Sequence, residues 1–420
     1  PLYTSLDVTR FLKRGPNALG VSVGGNTSFI AQLEITLAGG KRIVIGSDAS
    51  WQTRASPYLK VDGFAGTLYD ARPETRGWDE ANFRRGAGWV PVEDRTQTVG
   101  AVTLSSDSSP PPMRVVKRWA PVAVTENESG TYIFDFGENI SGRLRLRMRG
   151  EQGQAVEITH AEILNRKGQA DKFSTGFLGL QTDRYVFGAA DADWSPEFSY
   201  YGFRYVTVTG LRRPPKAGEM WAEQVNTDLE RTGSLESSSD PLNRLHAAAA
   251  QTTLNNAHGI PEDCPHREKR GWSQDAYTGS PQAYANFDME GFYAKWLRDA
   301  QDGQRPNGAG TDIAPVEVSY AVDGDSTWSS ALVFVPWDLY RETGDLRYLE
   351  RSYDSMRRLV EWEMGIAKDG LLPEGIYIGD WVAARQTDDG LLRNSIWFGV
   401  ADTPMTEVVR GEKFRDGMLA

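Results

Sequence analysis

Residues 237–256 read SSSDPLNRLHAAAAQTTLNN. Ser237, Ser238, Ser239 and Asp240 are residue types that cap helices, and the Ala-rich run from Leu242 to Asn256 predicts a helix behind them. Strands are scarce beyond this point and dominate before it. The stretch therefore divides an all-β portion from an all-α portion.

Working toward the N terminus, the character changes first at Arg212–Gly218 (RRPPKAG). Before it, Arg114–Val124, Thr131–Phe136, Arg143–Met148, Ala155–His160, Asp183–Phe187 and Phe198–Thr209 show period-two alternation or β-branched and aromatic runs, as a β-sandwich does. Ser105–Pro112 (SSDSSPPP) has the composition of a stiff polar linker and marks a domain boundary. Ahead of it, Trp51–Val92, rich in Gly, Asp and Trp, reads as long loops, and the sheet resumes near Gly100–Leu104. Ala18–Val23 and Phe29–Leu33, punctuated by Gly24-Gly25 and Gly39-Gly40, carry strand and turn chemistry. In the other direction, helices are predicted at Asp240–Asn256, Ser273–Asn286, Met289–Asp302, Ser329–Glu342 and Leu346–Ala367, joined by long loops that suit α/α hairpins better than a bundle. Three domains are expected: 1–105 and 106–228 as β-sandwiches, and 229–420 as the helical part.

Composition narrows the function. The 420 residues carry 46 Lys+Arg against 57 Asp+Glu, a net charge of −11, which opposes nucleic acid as a partner and suits a neutral ligand. Thirteen Trp and sixteen Tyr supply aromatic faces of the kind that stack on sugar rings. Cys264 is the only cysteine, so there is no disulfide framework. No apolar run is long enough to cross a membrane, and no signal peptide is visible. A cytoplasmic location is slightly favoured, although the first residue is Pro1 rather than Met, which leaves room for an upstream portion and any signal it carried.

The densest polar constellation is Ile260–Asp275, IPEDCPHREKRGWSQD. Glycoside hydrolysis needs a protonated carboxyl at the leaving oxygen, an ionised carboxylate, and further groups that grip hydroxyls. This segment can supply the acid and the grip. Glu268 and Asp275 lie seven apart, but Gly271 breaks the continuous helix that would put them on one face. Arg267 lowers a neighbouring carboxyl pKa, whereas Asp263 and Asp275 raise it. The competing reading of Arg267-Glu268-Lys269-Arg270 is a solvated charged face. Cys264 beside His266 lacks a third orienting residue for thiol catalysis and reads as a buried inert thiol. The four histidines show no metal-ligand spacing, so neither a redox metal nor an organic cofactor is expected, while Asp62, Asp70 and Glu138 are carboxylates of the kind that hold Ca2+, with no spacing that singles out a site.

Asp263-Cys264-Pro265-His266-Arg267-Glu268-Lys269, followed by Gly271-Trp272 and Asp275, resembles the signature of the α-L-rhamnosidases, inverting glycoside hydrolases with an (α/α)6 catalytic domain. Leu2–Thr9 with Gly15–Val21, and Tyr69-Asp70-Ala71-Arg72 with Gly77-Trp78, resemble that family's N-terminal sandwich. Thr131–Gly142, His160-Ala161-Glu162 and Tyr201–Val206 are similar to its second one. The resemblance implies Glu268 as general acid, Asp263, Arg267 and Asp275 as binders of rhamnose hydroxyls, and Trp272 as a wall of the sugar subsite. Trp328, in Asp325–Ala331, and Trp381, in Gly379-Asp380-Trp381, match further family segments and are carried over as sugar platforms, with core packing as their competing role. The implied partner is a rhamnose-containing glycoside or polysaccharide.

The family's catalytic base is a Glu far downstream of the Gly-Asp-Trp segment, and this chain ends soon after Trp381. A twelve-helix ring needs roughly 300 residues, more than the stretch after Leu229 offers. The expectation is thus two β-sandwich domains followed by an incomplete (α/α)6 toroid, truncated within the catalytic domain and lacking its general base. Glu361, Glu363, Glu374 and Glu407 are the late carboxylates that remain as substitutes. Exposed apolar helix faces are expected to make such a chain poorly stable or prone to form a homo-oligomer. The rival reading is a non-catalytic carbohydrate-binding or structural fragment built on the sandwiches.

Overall fold

The computed structural model describes residues 2–24, 28–95, 105–106, 110–127, 130–172, 180–189, 191–216, 218–316, 324–372, 384–386 and 392–394. The chain forms two compact units, one of Pro1–Ser109, Arg114–Asn226 and Pro265–Arg267, the other of Pro110–Met113, Thr227–Cys264 and Glu268–Ala420.

The first unit is built on a ten-stranded sheet. In chain order its strands are β1 (Tyr58–Asp62), β2 (Gly66–Asp70), β3 (Met113–Trp119), β4 (Ala123–Glu126), β5 (Tyr132–Met148), β6 (Ala155–Ala161), β7 (Thr182–Val186), β8 (Ala192–Trp194), β9 (Tyr201–Thr209) and β10 (Met220–Thr227). They run in the order β1-β2-β7-β6-β9-β5-β10-β3, with β4 and β8 also paired to β5. The 17-residue β5 pairs with β4 and β9 through its first half and with β10 and β8 through its second. Its register shifts between Asp135 and Ile140, where Gly137 adopts φ 78° and supplies the bulge that bends so long a strand. The two runs expected there, Thr131–Phe136 and Arg143–Met148, are thus one strand.

Alternation sets which side is core. Leu144, Leu146 and Met148 are buried while Arg143, Arg145 and Arg147 face outward and pair with Glu223 and Asp193. Phe134, Phe136, Ile140, Val156, Ile158, Phe187, Tyr201 and Phe203 complete one apolar cluster. Each large side chain buried this way contributes about 1.5–3 kcal/mol.

The loop expectation for Trp51–Val92 is corrected: the stretch contains β1, β2 and a rung between Gln52–Thr53 and Val90–Pro91. Local pattern is weak because β1 is bulged between Tyr58 and Lys60, and because β2 finds a partner only far along the chain, in parallel β7. The turn chemistry at Gly39-Gly40 joins Gln32–Thr36 and Arg42–Gly46 in a hairpin, whereas Ala18–Val23 forms no strand. Ser105-Ser106 in the expected linker pairs in parallel with Leu2-Tyr3, and Gly100–Leu104 lies outside the described residues.

The helices of the second unit are α1 (Asp240–Asn255), α2 (Ser273–Tyr284), α3 (Glu290–Gly303), the single turn α4 (Ser326–Ser329), α5 (Ala331–Thr343) and α6 (Arg347–Ile366). The helix expected at Ser329–Glu342 is α5, and the single turn α4 precedes it, capped by Asp325, whose carboxylate accepts from Thr327 N. Gly344 at φ 72° ends α5 in the left-handed cap that glycine takes without strain. On α3, Phe292, Trp296, Leu297 and Ala300 form one buried stripe that meets Leu332, Val335 and Leu339 of α5. Other apolar side chains stay outside the core: Phe334, Trp337 and Tyr353 are exposed and line an apolar groove with Val333, Leu349 and Met356.

Candidate active site

Asp263–Asp275 is not a helix but a knotted turn followed by the start of α2. Asp263 N–H donates to Arg270 O, and Arg270 N–H donates back to Asp263 Oδ1, both at 3.0 Å. Lys269, held at φ 54°, closes the turn by donating to Cys264 O. At Gly271 a Cβ would stand 2.0 Å from Ala314 O, so only glycine allows the close approach made there. Ala314 N–H donates to Gly271 O, Ser273 N–H to Asp312 O, and the Trp296 indole to Ala314 O at 3.0 Å. These bonds fix where the turn ends and put Asp275 in the first turn of α2, where a carboxylate is favoured by the helix dipole.

The polar side chains converge inside this frame. Glu268 Oε2 accepts a hydrogen bond from Trp272 Nε1 at 2.9 Å. Asp263, Cys264 and Glu268 bring a carboxylate oxygen, the thiol and a second carboxylate oxygen within 4.8 Å of one another. Cys264, buried, donates its thiol to Asp263 Oδ2 at 2.9 Å. Such a trio has the donor types for a cation, and the thiol–carboxylate hydrogen bond accounts for the Asp263–Cys264 approach.

Burial dominates the electrostatics. The Asp263 carboxyl is pushed up to about 7, first by desolvation and then by the charges of Glu268 and Asp275, against the hydrogen bonds from Cys264 and Arg270 that favour its ionised form. Asp275 is reached by solvent, but protein fills most of the space around it; desolvation and the Glu268 charge raise its pKa. A cluster of this kind retains a proton near neutral pH, which isolated carboxyls do not.

The Trp272 ring meets the Trp328 ring in an edge arrangement, centroids 6.2 Å apart and planes at 68°. Trp328 is only 4% exposed, so it buttresses Trp272 and has no free face of its own.

Sequence models of three domains match the chain: the α-L-rhamnosidase N-terminal domain at residues 24–117, the bacterial α-L-rhamnosidase concanavalin-like domain at 125–226, and the bacterial α-L-rhamnosidase 6 hairpin glycosidase domain at 230–403. The chain belongs to the bacterial α-L-rhamnosidase family. It is 32% identical over 401 residues to an α-L-rhamnosidase of Streptomyces avermitilis, an alignment covering 90% of this chain and 38% of that protein. The structure of the Streptomyces avermitilis α-L-rhamnosidase complexed with L-rhamnose superposes with a TM-score of 0.78 at 31% identity, covering 85% of this chain and 34% of that one. The α-L-rhamnosidase from Dictyoglumus thermophilum gives a TM-score of 0.79 at 31% identity, covering 91% of this chain and 41% of that one. The chain therefore spans less than half the length of these relatives.

Within this chain, Asp263, Glu268, Trp272, Asp275 and Trp328 all fall in the second unit, while half-buried Arg267 falls with Pro265 and His266 in the first. Pro265 packs close to Gly202, and His266 Nε2 lies 3.8 Å from Glu162. Trp381 lies outside the described residues, as do Glu374 and Glu407. Glu361 is spent on an exposed pair with Arg357. Glu363 is different: it is half-buried, and desolvation raises its pKa. Sequence reasoning missed the residues that hold the turn. Trp296 and Ile313-Ala314 act through the chain's long-range folding and leave no local pattern, whereas the buried His258–Glu262 pair, 2.8 Å apart, could have been noticed from its four-residue spacing just before Asp263.

Proposed function

We propose that this chain carries the acid half of an inverting α-L-rhamnosidase site, acting on terminal α-L-rhamnose of a glycoside or polysaccharide. Glu268 gives its proton to the glycosidic oxygen as the bond to the anomeric carbon breaks. Water attacks that carbon from the opposite face and loses its proton to a second carboxylate. The observation that carries the reading is the Glu268 carboxylate held by the Trp272 indole beside the half-buried Asp263 carboxyl.

Asp263 does not fit the role of that second carboxylate. Inverting pairs stand about 6.5–9.5 Å apart to admit a water, and the Asp263 and Glu268 oxygens lie within 4.8 Å. Asp263, Arg267 and Asp275 are instead assigned to the sugar hydroxyls, Trp272 to the wall of the subsite, Trp328 to its support and Trp381 to a further platform. The base is not assigned among the described residues. The helical unit is read as part of an (α/α)6 toroid, with domains at 1–105, 106–228 and 229–420. The fragment reading is disfavoured, since the matched relatives are themselves α-L-rhamnosidases.

Rhamnose release from 4-nitrophenyl α-L-rhamnoside, and L-rhamnose binding by calorimetry, test this in the chain and in Glu268→Gln. Release abolished by the substitution, or rhamnose binding lost in Trp272→Ala, supports the assignment. Release unchanged in Glu268→Gln, or a folded chain that neither releases nor binds rhamnose, overturns it.

A further inference from the structure

The carboxyl of Asp263 is gripped at both oxygens. Oδ1 accepts from Arg270 N–H at 3.0 Å, and Oδ2 accepts from the Cys264 thiol at 2.9 Å. One donor alone would leave the group room to turn, because the terminal torsion of an Asp side chain is broad and roughly two-fold. Two donors on two oxygens fix that rotation. The thiol is itself held in place: Cys264 is 8% exposed, its carbonyl accepts from Lys269 N–H at 3.2 Å, and the preceding Asp263 N–H donates to Arg270 O at 3.0 Å.

A buried thiol is ordinarily inert packing, and packing does not require its S–H to meet an ionisable group. Here that proton goes to a carboxyl of the candidate site, and a Glu268 oxygen lies within 4.8 Å of both partners. Glu268 has a donor of its own in the Trp272 indole, so each of the two neighbouring carboxyls is served by a different side chain. Carboxyls this close raise each other's pKa, and a donor on one favours its ionised form. Burial raises the Asp263 pKa most, and the thiol bond is the largest influence opposing that rise. Without the thiol, the carboxyl would both turn more freely and stay protonated to higher pH.

We infer that Cys264 is a positioning residue: its thiol sets the rotation of the Asp263 carboxyl, and thereby the lone pairs which that group presents to a rhamnose hydroxyl beside Glu268. The sugar-facing half rests on the role proposed above for Asp263; the placement of the carboxyl does not. Calorimetric melting from about pH 5 to about pH 9 of the full chain, Cys264→Ala and Cys264→Ser, each with and without Asp263→Asn, reads the placement. The stability gained through Asp263→Asn grows with pH and levels off at the folded pKa of Asp263. In Cys264→Ala this plateau should move up by about half a unit to one unit, and Cys264→Ser, which keeps a donor, should bring it back toward the parent. Packing alone would lower the melting temperature of Cys264→Ala without moving the plateau. L-rhamnose binding, followed by calorimetry, should weaken roughly tenfold in Cys264→Ala and recover in Cys264→Ser. A plateau unmoved or lowered in Cys264→Ala, or not recovered in Cys264→Ser, overturns the placement. Rhamnose bound equally well by the parent and Cys264→Ala overturns its consequence for the sugar. A plateau that moves in a parent that binds no rhamnose supports the placement and overturns the sugar-binding role of Asp263 instead.

Discussion

Replacing Asp263 by Asn removes a carboxyl that the fold keeps protonated well above the pH at which a free one ionises. The group is raised from 3.8 to about 7, a gap worth ~4 kcal/mol at 1.36 kcal/mol per pH unit. The folded pKa lies above the unfolded one, so ionisation is harder in the folded protein. Below the unfolded value both states are protonated and no penalty exists; the penalty grows as pH rises between the two values and is complete above the folded one. Asn keeps an oxygen for the Arg270 N–H and cannot ionise. From pH 5 to pH 8 the variant should therefore gain ~2–3 kcal/mol relative to the parent. In a unit of this size that is a relative rise in Tm of roughly 4–12 °C. Calorimetric melting of both proteins across that range is the assay. Parallel pH profiles would show that Asp263 is not held protonated by its surroundings, and the account of the carboxyl cluster would fall with it.

Two further substitutions probe the frame. Gly271→Ala should cost about 2–4 kcal/mol, from a methyl forced against Ala314 O and the loss of the bonds around it; thermal melting and the near-ultraviolet circular dichroism of the Trp272–Trp328 pair would report it, and an unshifted melt would show that the turn is more tolerant than its geometry implies. Tyr201→Phe removes one donor from the buried Asp183, which accepts from the Tyr201 hydroxyl at 2.6 Å and from Thr67 N at 2.8 Å, and should cost about 1.5–3 kcal/mol in a denaturant titration followed on the β unit.

The division into β and α portions was legible because it rests on local pattern. Leu144, Leu146 and Met148 alternate with arginines, and the α3 stripe repeats at helical spacing. β10 was missed because its inward side is not apolar throughout. Gln224 and Asn226 are buried and bonded to each other, Gln224 also accepts from Trp119, and Glu223 is buried among arginines, so a hydrophobic alternation never forms. The site followed the same rule. Glu268, Trp272 and Asp275 could be named from one contiguous motif, but the Trp272–Glu268 bond and the raised pKa of Asp263 depend on burial and on residues from elsewhere in the chain.

The parallel pairing of β2 with β7 bears on where this protein can be cut. Leu68, Tyr69 and Asp70 cover Arg184, Tyr185 and Val186, and Thr67 N–H reaches the buried Asp183. A shortened protein beginning near Met113, at what reads as a linker, would strip that cover away. β7 would then present a bare row of amides and carbonyls beside Tyr185 and Phe187, the kind of open margin along which chains recruit one another into aggregates. Residues 58–70 belong to the solubility of the β unit as much as to its fold.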